Sequence, residues 1–204
     1  MLNGTGVKAL KVKLGSPKGL DADQAMFSAV LEMTKDRSTV IRVDANGGWT
    51  VPEAKKMMQW LADRGVEYIE QPLKKGEEED LIHLFKDRPL PIYVDESCRV
   101  SSNIPVFADR VDGVNLKLMK CGGITEALRI VSTARAFGLK TMIGCMGESS
   151  VSIAAGASIG SLFDYIDLDS HLNLDPDPCS GADMIDGKIL PSNNLGHGGE
   201  ISNA

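Results

Sequence analysis

Val40-Ile41-Arg42-Val43-Asp44 is a short apolar run that ends in a carboxylate, and similar runs recur along the chain. Runs of this kind are typical of buried β-strands, and the segments between them carry apolar residues at helical spacing. One of these helices is expected to begin at Thr50-Val51-Pro52-Glu53, which has the form of a capping box with an early proline. The predicted strands cover residues 7–14, 40–44, 68–70, 92–95, 113–118, 141–145 and 165–168.

Strand and helix alternate with a repeat of roughly 26 residues, which predicts parallel βα units. Doubly wound sheets and barrels share this pattern. The absence of a glycine-rich phosphate-binding loop after the strands favours a (β/α) barrel. Only seven strands are visible in the sequence, whereas a closed barrel that carries an active site generally has eight.

The composition is that of an ordinary soluble globular protein of 204 residues, and its formal net charge of −6 argues against nucleic-acid binding. No apolar run approaches the roughly 18–20 residues that cross a bilayer. Residues 1–6 lack the basic and apolar regions of a signal peptide. The four cysteines form no CxxC pair, so we expect no disulfide framework, no zinc site and a cytoplasmic location.

Carboxylates end three successive predicted strands, at Asp44, Glu70 and Asp95. In a barrel the carboxyl ends of the strands meet at one mouth, where the chemistry takes place. Three hard oxygen ligands that converge there suit Mg²⁺. A single such acid would more often cap the helix that follows, but three in consecutive units favour a metal site.

Lysines also occupy strand ends, and alternate residues of a strand share a face, so Lys11 pairs with Lys13 and Asn115 with Lys117. If the strands are counted from a missing first one, Lys13 and Lys117 lie on opposite sides of an eight-stranded ring. One lysine could then remove the proton α to a metal-bound carboxylate, and the other could return a proton to the opposite face. A divalent cation stabilises the enediolate, and nearby positive charge with partial burial lowers a lysine pKa enough for it to act as a base. This pattern predicts racemisation or epimerisation.

Five motifs in order and in spacing resemble the enolase superfamily, in its muconate-lactonizing-enzyme subgroup, from about residue 7 onward. They are Lys11-Val12-Lys13, Asp44-Ala45-Asn46, Glu70-Gln71-Pro72, Asp95-Glu96-Ser97 and Asn115-Leu116-Lys117. The resemblance implies an α/β fold, the enolase-type (β/α)₇β barrel, with Mg²⁺ on the three acids. It also implies that Lys13 and Lys117 form the acid/base pair and that Lys11 assists electrostatically at the substrate.

Asp167-Leu168-Asp169 looks like the DxD motif of dipeptide epimerases of the L-Ala-D/L-Glu epimerase type. That resemblance implies that Asp167 and Asp169 bind the free ammonium of a dipeptide substrate. The alternative is that these acids cap a loop or bind the C-terminal tail. Further residues are expected to orient the residues that bind metal and substrate, without touching either one themselves. They are Asn46, Asn115, Glu148 and Ser149.

The prediction is therefore a Mg²⁺-dependent isomerase that epimerises dipeptides by a two-lysine mechanism. Other chemistries of the subgroup use the same lysines and metal, namely cycloisomerisation, o-succinylbenzoate synthesis and N-acylamino-acid racemisation. An inactive truncated barrel is a third hypothesis, because the N-terminal α+β capping domain and the first barrel strand of the family are absent from the sequence. The expected organisation is a partial catalytic barrel at 1–190 and a tail at 191–204, and the open strand edges leave homo-oligomerisation as an option.

Overall fold

The computed structural model describes residues 8–35 and 39–201. Within them the strands are β1 Ala9–Lys13, β2 Val40–Asp44, β3 Ile69–Glu70, β4 Ile92–Val94, β5 Gly113–Lys117, β6 Lys140–Gly144, β7 Tyr165–Ile166, β8 Cys179–Ser180, β9 Asp183–Ile185, β10 Lys188–Leu190 and β11 Glu200–Ile201. The α-helices are α1 Leu20–Thr34, α2 Val51–Ala62, α3 Ile82–Phe85, α4 Ile104–Phe107, α5 Leu118–Cys121, α6 Ile124–Ala136 and α7 Ser150–Ser158. Short 3₁₀ turns cover Glu78–Leu81, Ser101–Asn103, Gly160–Leu162 and Ser170–Asn173.

The chain divides into two compact units, which we call the acidic unit and the C-terminal unit. The acidic unit contains, of the described residues, 8–35, 39–98 and 105–114. The C-terminal unit contains 99–104 and 115–201.

In the acidic unit, β1 pairs with β2, β2 with β3, β3 with β4, and β4 with the start of β5, always in parallel. The register places Lys13 opposite Asp44 and Asp44 opposite Glu70, so charged residues collect where these strands end. The core beneath this edge is aromatic and aliphatic. The rings of Tyr68 and Tyr93 lie 4.7 Å apart between their centres.

Helix α2 begins at the capping box that the sequence predicts. The Glu53 carboxylate accepts the Thr50 backbone N–H at 2.9 Å and the Thr50 hydroxyl at 2.7 Å. The backbone hydrogen bond from Thr50, followed by the one from its hydroxyl, lowers the pKa of Glu53. Across the unit, the Phe27 ring of α1 meets the Trp60 ring of α2 edge-on, with 5.5 Å between centres, and this contact packs the two helices together.

In the C-terminal unit, β6 and β7 pair in parallel. One further hydrogen bond follows the last residue of β7, from the Asp167 N–H to the Ile143 carbonyl at 2.9 Å. Strands β9 and β10 form an antiparallel pair. Strand β11 pairs with β8, so residues of the predicted tail return to the unit. The boundary predicted at residue 190 stays a prediction.

All described pairings among β1 to β7 are parallel, as the strand–helix alternation predicts. Over the residues that the structure describes, we find no helix that combines the length and the apolar character needed to cross a membrane.

Candidate active site

Three carboxylates form a cluster at the strand ends of the acidic unit. Asp44, Glu70 and Asp95 each present an oxygen, and these oxygens lie within 4.8 Å of one another. The exposed fractions of the three residues are 0%, 0% and 1%. Buried like charges at this separation repel strongly unless a cation balances them. The donor set is all oxygen, which fits a hard divalent cation such as Mg²⁺. The three acids are therefore positioned to bind a metal ion, as the sequence predicts.

Two lysines of β1 contact this cluster from the same face of the strand. Lys11 donates from Nζ to Glu70 Oε2 at 3.0 Å, and Lys13 pairs with Asp44. Their side chains differ in exposure, at 11% for Lys11 and 55% for Lys13. Lys11 is thus held beside Glu70, whereas the Lys13 stem reaches solvent. Their roles in catalysis stay predictions.

Asn46 orients the first acid. Its backbone N–H donates to Asp44 Oδ1 at 2.8 Å, and its side-chain Nδ2 donates to Asp44 Oδ2 at 3.1 Å. The residue has a φ of +46°, in the left-handed region that asparagine tolerates better than most residues. Together the two hydrogen bonds fix the orientation of the Asp44 carboxylate.

The backbones on either side of this acid approach closely. Gly15 follows β1 with a φ of +81°, and a Cβ at that position would lie 2.0 Å from the Ala45 carbonyl oxygen. Only glycine fits such a contact. The loop after β1 therefore lies directly against Ala45, the residue that follows Asp44.

Asp23 is a buried carboxylate that the sequence analysis missed. It lies on α1 with 0% exposure and accepts the N–H groups of Gly15 at 3.0 Å and Ser16 at 2.9 Å. It also accepts the indole N–H of Trp49 at 2.9 Å. Asp23 thus joins the loop after β1 to the loop after β2. An acid in the first turn of a helix ordinarily indicates a favourable helix dipole, so no sequence signal identified this role.

In the C-terminal unit, Asn115 and Lys117 lie two residues apart on β5, with Lys117 as its last residue. Asn115 is buried against β6. A Cβ on Gly144 would lie 2.8 Å from Asn115 Oδ1. The Asn115 carbonyl accepts from Lys120 Nζ at 2.9 Å. Lys117 thus ends a strand whose residue Asn115 is closely packed against β6. The role of Lys117 as an acid or base stays a prediction.

Asp167 and Asp169 follow β7 directly. Asp167 is half-buried and Asp169 is exposed, immediately before the 3₁₀ turn Ser170–Asn173. Cys145 Sγ lies 4.0 Å from Asp169 Oδ1, and burial raises the pKa of the Cys145 thiol. At neutral pH this thiol is thus protonated and offers a weak donor beside Asp169.

Glu148 ties together the loop that follows β6. Its buried carboxylate accepts the Met146 N–H at 2.8 Å and the Ser152 hydroxyl, and its own N–H donates to Ser170 Oγ at 3.2 Å. Ser149, the next residue, is the N-cap position of α7. Glu148 thereby connects this loop to the segment that directly follows Asp169, and its supporting role at the substrate stays a prediction.

Comparison with known proteins extends these observations. The sequence matches the enolase C-terminal domain-like family over residues 1–204. A Roseobacter litoralis protein named hydrophobic dipeptide epimerase is 68% identical over the whole chain, and the match covers 59% of that protein. The chain thus spans little more than half the length of this relative.

Solved structures agree with the fold prediction of an enolase-type barrel. The dipeptide epimerase from Enterococcus faecalis, complexed with Mg and L-Leu-L-Tyr, is 34% identical with a TM-score of 0.87, over 96% of this chain and 56% of that one. The dipeptide epimerase from Methylococcus capsulatus, complexed with Mg and L-Arg-D-Lys, is 31% identical with a TM-score of 0.86, over 95% and 56% of the two chains.

Proposed function

Because this chain belongs to the enolase C-terminal domain-like family, we propose that it is the catalytic part of a Mg²⁺-dependent dipeptide epimerase. The observation that carries the proposal is the buried cluster of Asp44, Glu70 and Asp95 with Lys11 and Lys13 held against it. The identity of 68% to a protein named hydrophobic dipeptide epimerase supports the substrate class.

In this proposal Asp44, Glu70 and Asp95 hold the metal. When bound, Mg²⁺ supplies the positive charge that stabilises negative charge developing on the substrate carboxylate as the α-proton leaves. Lys11, whose Nζ donates to Glu70 at 3.0 Å, adds positive charge at the same place.

Proton transfer is assigned to two lysines. A lysine base must first lose its own proton, and the half-exposed Lys13 side chain can exchange a proton with water while it stays next to the cluster. Lys117, at the end of β5, is the proposed partner for the opposite enantiomer. Epimerisation needs both, because one removes the proton and the other delivers one to the other face.

Asp167 and Asp169 are proposed to bind the free ammonium of the dipeptide. Their position directly after β7 suits a group that meets substrate at a strand end. An ammonium also balances two nearby acids, which would otherwise repel each other. Cycloisomerases, o-succinylbenzoate synthases and N-acylamino-acid racemases act on substrates without that free ammonium, so these two acids separate our proposal from the alternatives.

The test is α-proton exchange in D₂O, followed by NMR with the intact gene product, Mg²⁺ and a dipeptide panel that includes L-Leu-L-Tyr and L-Ala-L-Glu. We expect Mg²⁺-dependent exchange of one α-proton, reduced on the order of 10²–10⁴-fold in Lys13→Met and in Lys117→Met. Lys56→Met is the matched control, since Lys56 is an exposed residue of α2. A folded, Mg²⁺-loaded protein that exchanges no proton in the panel would contradict the proposal.

The predicted partners and compartment belong to the same proposal. The partner is a dipeptide and not a nucleic acid, in line with the net charge of −6. The cysteines Cys98, Cys121, Cys145 and Cys179 are all free, which suits a reducing cytoplasm. Homo-oligomerisation stays a prediction that light scattering of the intact protein would test.

A further inference from the structure

Gln71 directly follows Glu70 and has an unusual backbone. Its φ is +40°, and it is only 2% exposed. Residues with a Cβ rarely adopt the left-handed region, and when they do so at a functional site the surrounding contacts hold them there. The contacts of Gln71 therefore indicate what this conformation is used for.

The side-chain amide of Gln71 reaches the segment that carries the third acid. Gln71 Oε1 accepts the backbone N–H of Asp95 at 2.8 Å and that of Ser97 at 3.4 Å. Its Nε2 donates to the Leu73 carbonyl at 2.8 Å and to Ser97 Oγ at 2.9 Å. The partners fix which end is oxygen, because a backbone N–H needs an acceptor and a carbonyl needs a donor. The amide is thus oriented in one way only.

The backbone of Gln71 contacts the segments on both sides. Its carbonyl accepts the Gly47 N–H at 2.7 Å, in the loop just after Asp44, and its N–H donates to the Tyr93 carbonyl at 2.7 Å. One residue is therefore bonded to the loop after the first acid, follows the second acid in sequence, and binds the N–H of the third.

The β3–β4 ladder ends before it reaches the third acid. Strand β3 is two residues long, and its last partner in β4 is Tyr93, two residues before Asp95. Asp95 therefore lies beyond the β3–β4 ladder, where the Gln71 amide supplies the next hydrogen bond. Because the three carboxylates repel one another, we expect that loss of this bond lets Asp95 shift relative to Asp44 and Glu70.

We propose that Gln71 is a positioning residue that sets the spacing of the three carboxylates, so that metal affinity depends on its side-chain amide. The inference rests on the metal site of the proposed function. Gln71 acts through Asp95 and its neighbours and does not itself supply a ligand atom to the cluster.

The test is Mg²⁺ binding to the 204-residue chain, measured by titration calorimetry, with the melting temperature of each variant measured alongside. Gln71→Ala removes the amide and keeps the Cβ, whereas Gln71→Gly removes the amide and also relieves the left-handed backbone. We expect both variants to bind Mg²⁺ about 10–100-fold more weakly, the range found when groups that orient ligands are removed. We also expect Gln71→Gly to melt at a higher temperature than Gln71→Ala.

Gln59→Ala is the matched control, since Gln59 donates to Asp63 on the exposed side of α2 and should leave Mg²⁺ affinity unchanged. A merely structural role predicts that affinity follows stability, so recovery of wild-type affinity in Gln71→Gly would overturn the inference. Wild-type affinity in both variants would overturn it as well. A folded wild-type chain that binds no Mg²⁺ would instead contradict the proposed metal site itself, and the inference with it.

Discussion

The acids of the two units differ in how the fold holds them. In the acidic unit, Asp44, Glu70 and Asp95 are buried, belong to neighbouring strands and gather within 4.8 Å. In the C-terminal unit, Asp167 and Asp169 follow one strand, one half-buried and the other exposed. Parallel pairing and the Gln71 side chain hold the first group, whereas the second lies where a strand passes into a loop.

This difference corresponds to a difference in proposed task. A metal site needs several ligands at fixed separation, which a hydrogen-bonded sheet can supply. Recognition of a substrate amine needs only charge at an accessible position, and exposed loop residues commonly provide such contacts. We therefore expect substitutions of the three clustered acids to alter metal binding, and substitutions of Asp167 or Asp169 to alter substrate use alone.

The largest effect is expected for Glu70→Gln. The substitution removes one of the proposed charged ligands and the carboxylate oxygen that Lys11 Nζ contacts at 3.0 Å, so Mg²⁺ affinity should fall on the order of 100-fold or more. Glu67→Gln is the matched control, because Glu67 pairs with Arg42 at 2.7 Å in the same unit. Calorimetry measures both, and equal affinities for the two variants would contradict the assignment of Glu70 as a ligand.

A stability measurement tests the close contact between Gly15 and Ala45, next to the cluster of acids. Gly15→Ala places a Cβ 2.0 Å from the Ala45 carbonyl oxygen and should cost about 2–4 kcal/mol of unfolding free energy. Gly65→Ala has a similar φ, +76°, with open space around the new Cβ, and should cost about 1 kcal/mol. Urea unfolding of both variants separates steric contact from backbone strain. If both variants lose a similar unfolding free energy, the contact between residue 15 and the Ala45 carbonyl can relax and does not constrain the fold.

The same comparison predicts a selective effect for Asp169→Asn. The loss of one charged hydrogen bond to substrate should lower kcat/KM for dipeptides about 10–100-fold. Mg²⁺ affinity should stay unchanged, since Asp169 lies outside the metal cluster. Asp183→Asn, at an exposed position of β9, is the control. Normal turnover in Asp169→Asn would remove this residue from the proposed amine site.

The smallest effect concerns Asp177, which caps α7 from a distant loop. Burial would raise its pKa, but bonds from the Ser150 hydroxyl and from backbone N–H groups outweigh burial and lower it. A carboxyl with a lowered folded pKa stabilises the fold above its unfolded pKa, and this contribution disappears as pH falls through the folded value. Asp177→Asn should therefore cost about 1 kcal/mol at pH 7, and the difference should shrink below about pH 4. Thermal melts across this range measure it, and a pH-independent difference would contradict the cap.

The sequence could predict features that depend on the strand repeat or on residues close together in the chain. The three acids recur with the strand period, so parallel pairing predicts that they meet at one edge of the sheet. The capping box of α2 is local, since Thr50 and Glu53 are three residues apart. Periodicity and short spacing are visible in one sequence without a structure.

The missed residues act across longer separations. Asp23 reaches Trp49 over 26 positions, Gln71 reaches Asp95 over 24, and Asp177 reaches Ser150 over 27. No local pattern marks such partners, because which loops come together depends on the finished packing. The proton-transfer roles of Lys13 and Lys117 are likewise chemical assignments, and only activity measurements can test them.

The bond between Asp23 and Trp49 also has an optical consequence. Both tryptophans of the chain, Trp49 and Trp60, belong to the acidic unit, and the indole of Trp49 is 3% exposed. Fluorescence excited at the red edge of the protein absorption band therefore comes from that unit alone. Since Asp23 connects the Trp49 indole to the loop after β1, we expect emission to change when the acids take up a cation. We therefore expect tryptophan emission to report metal loading without any added dye.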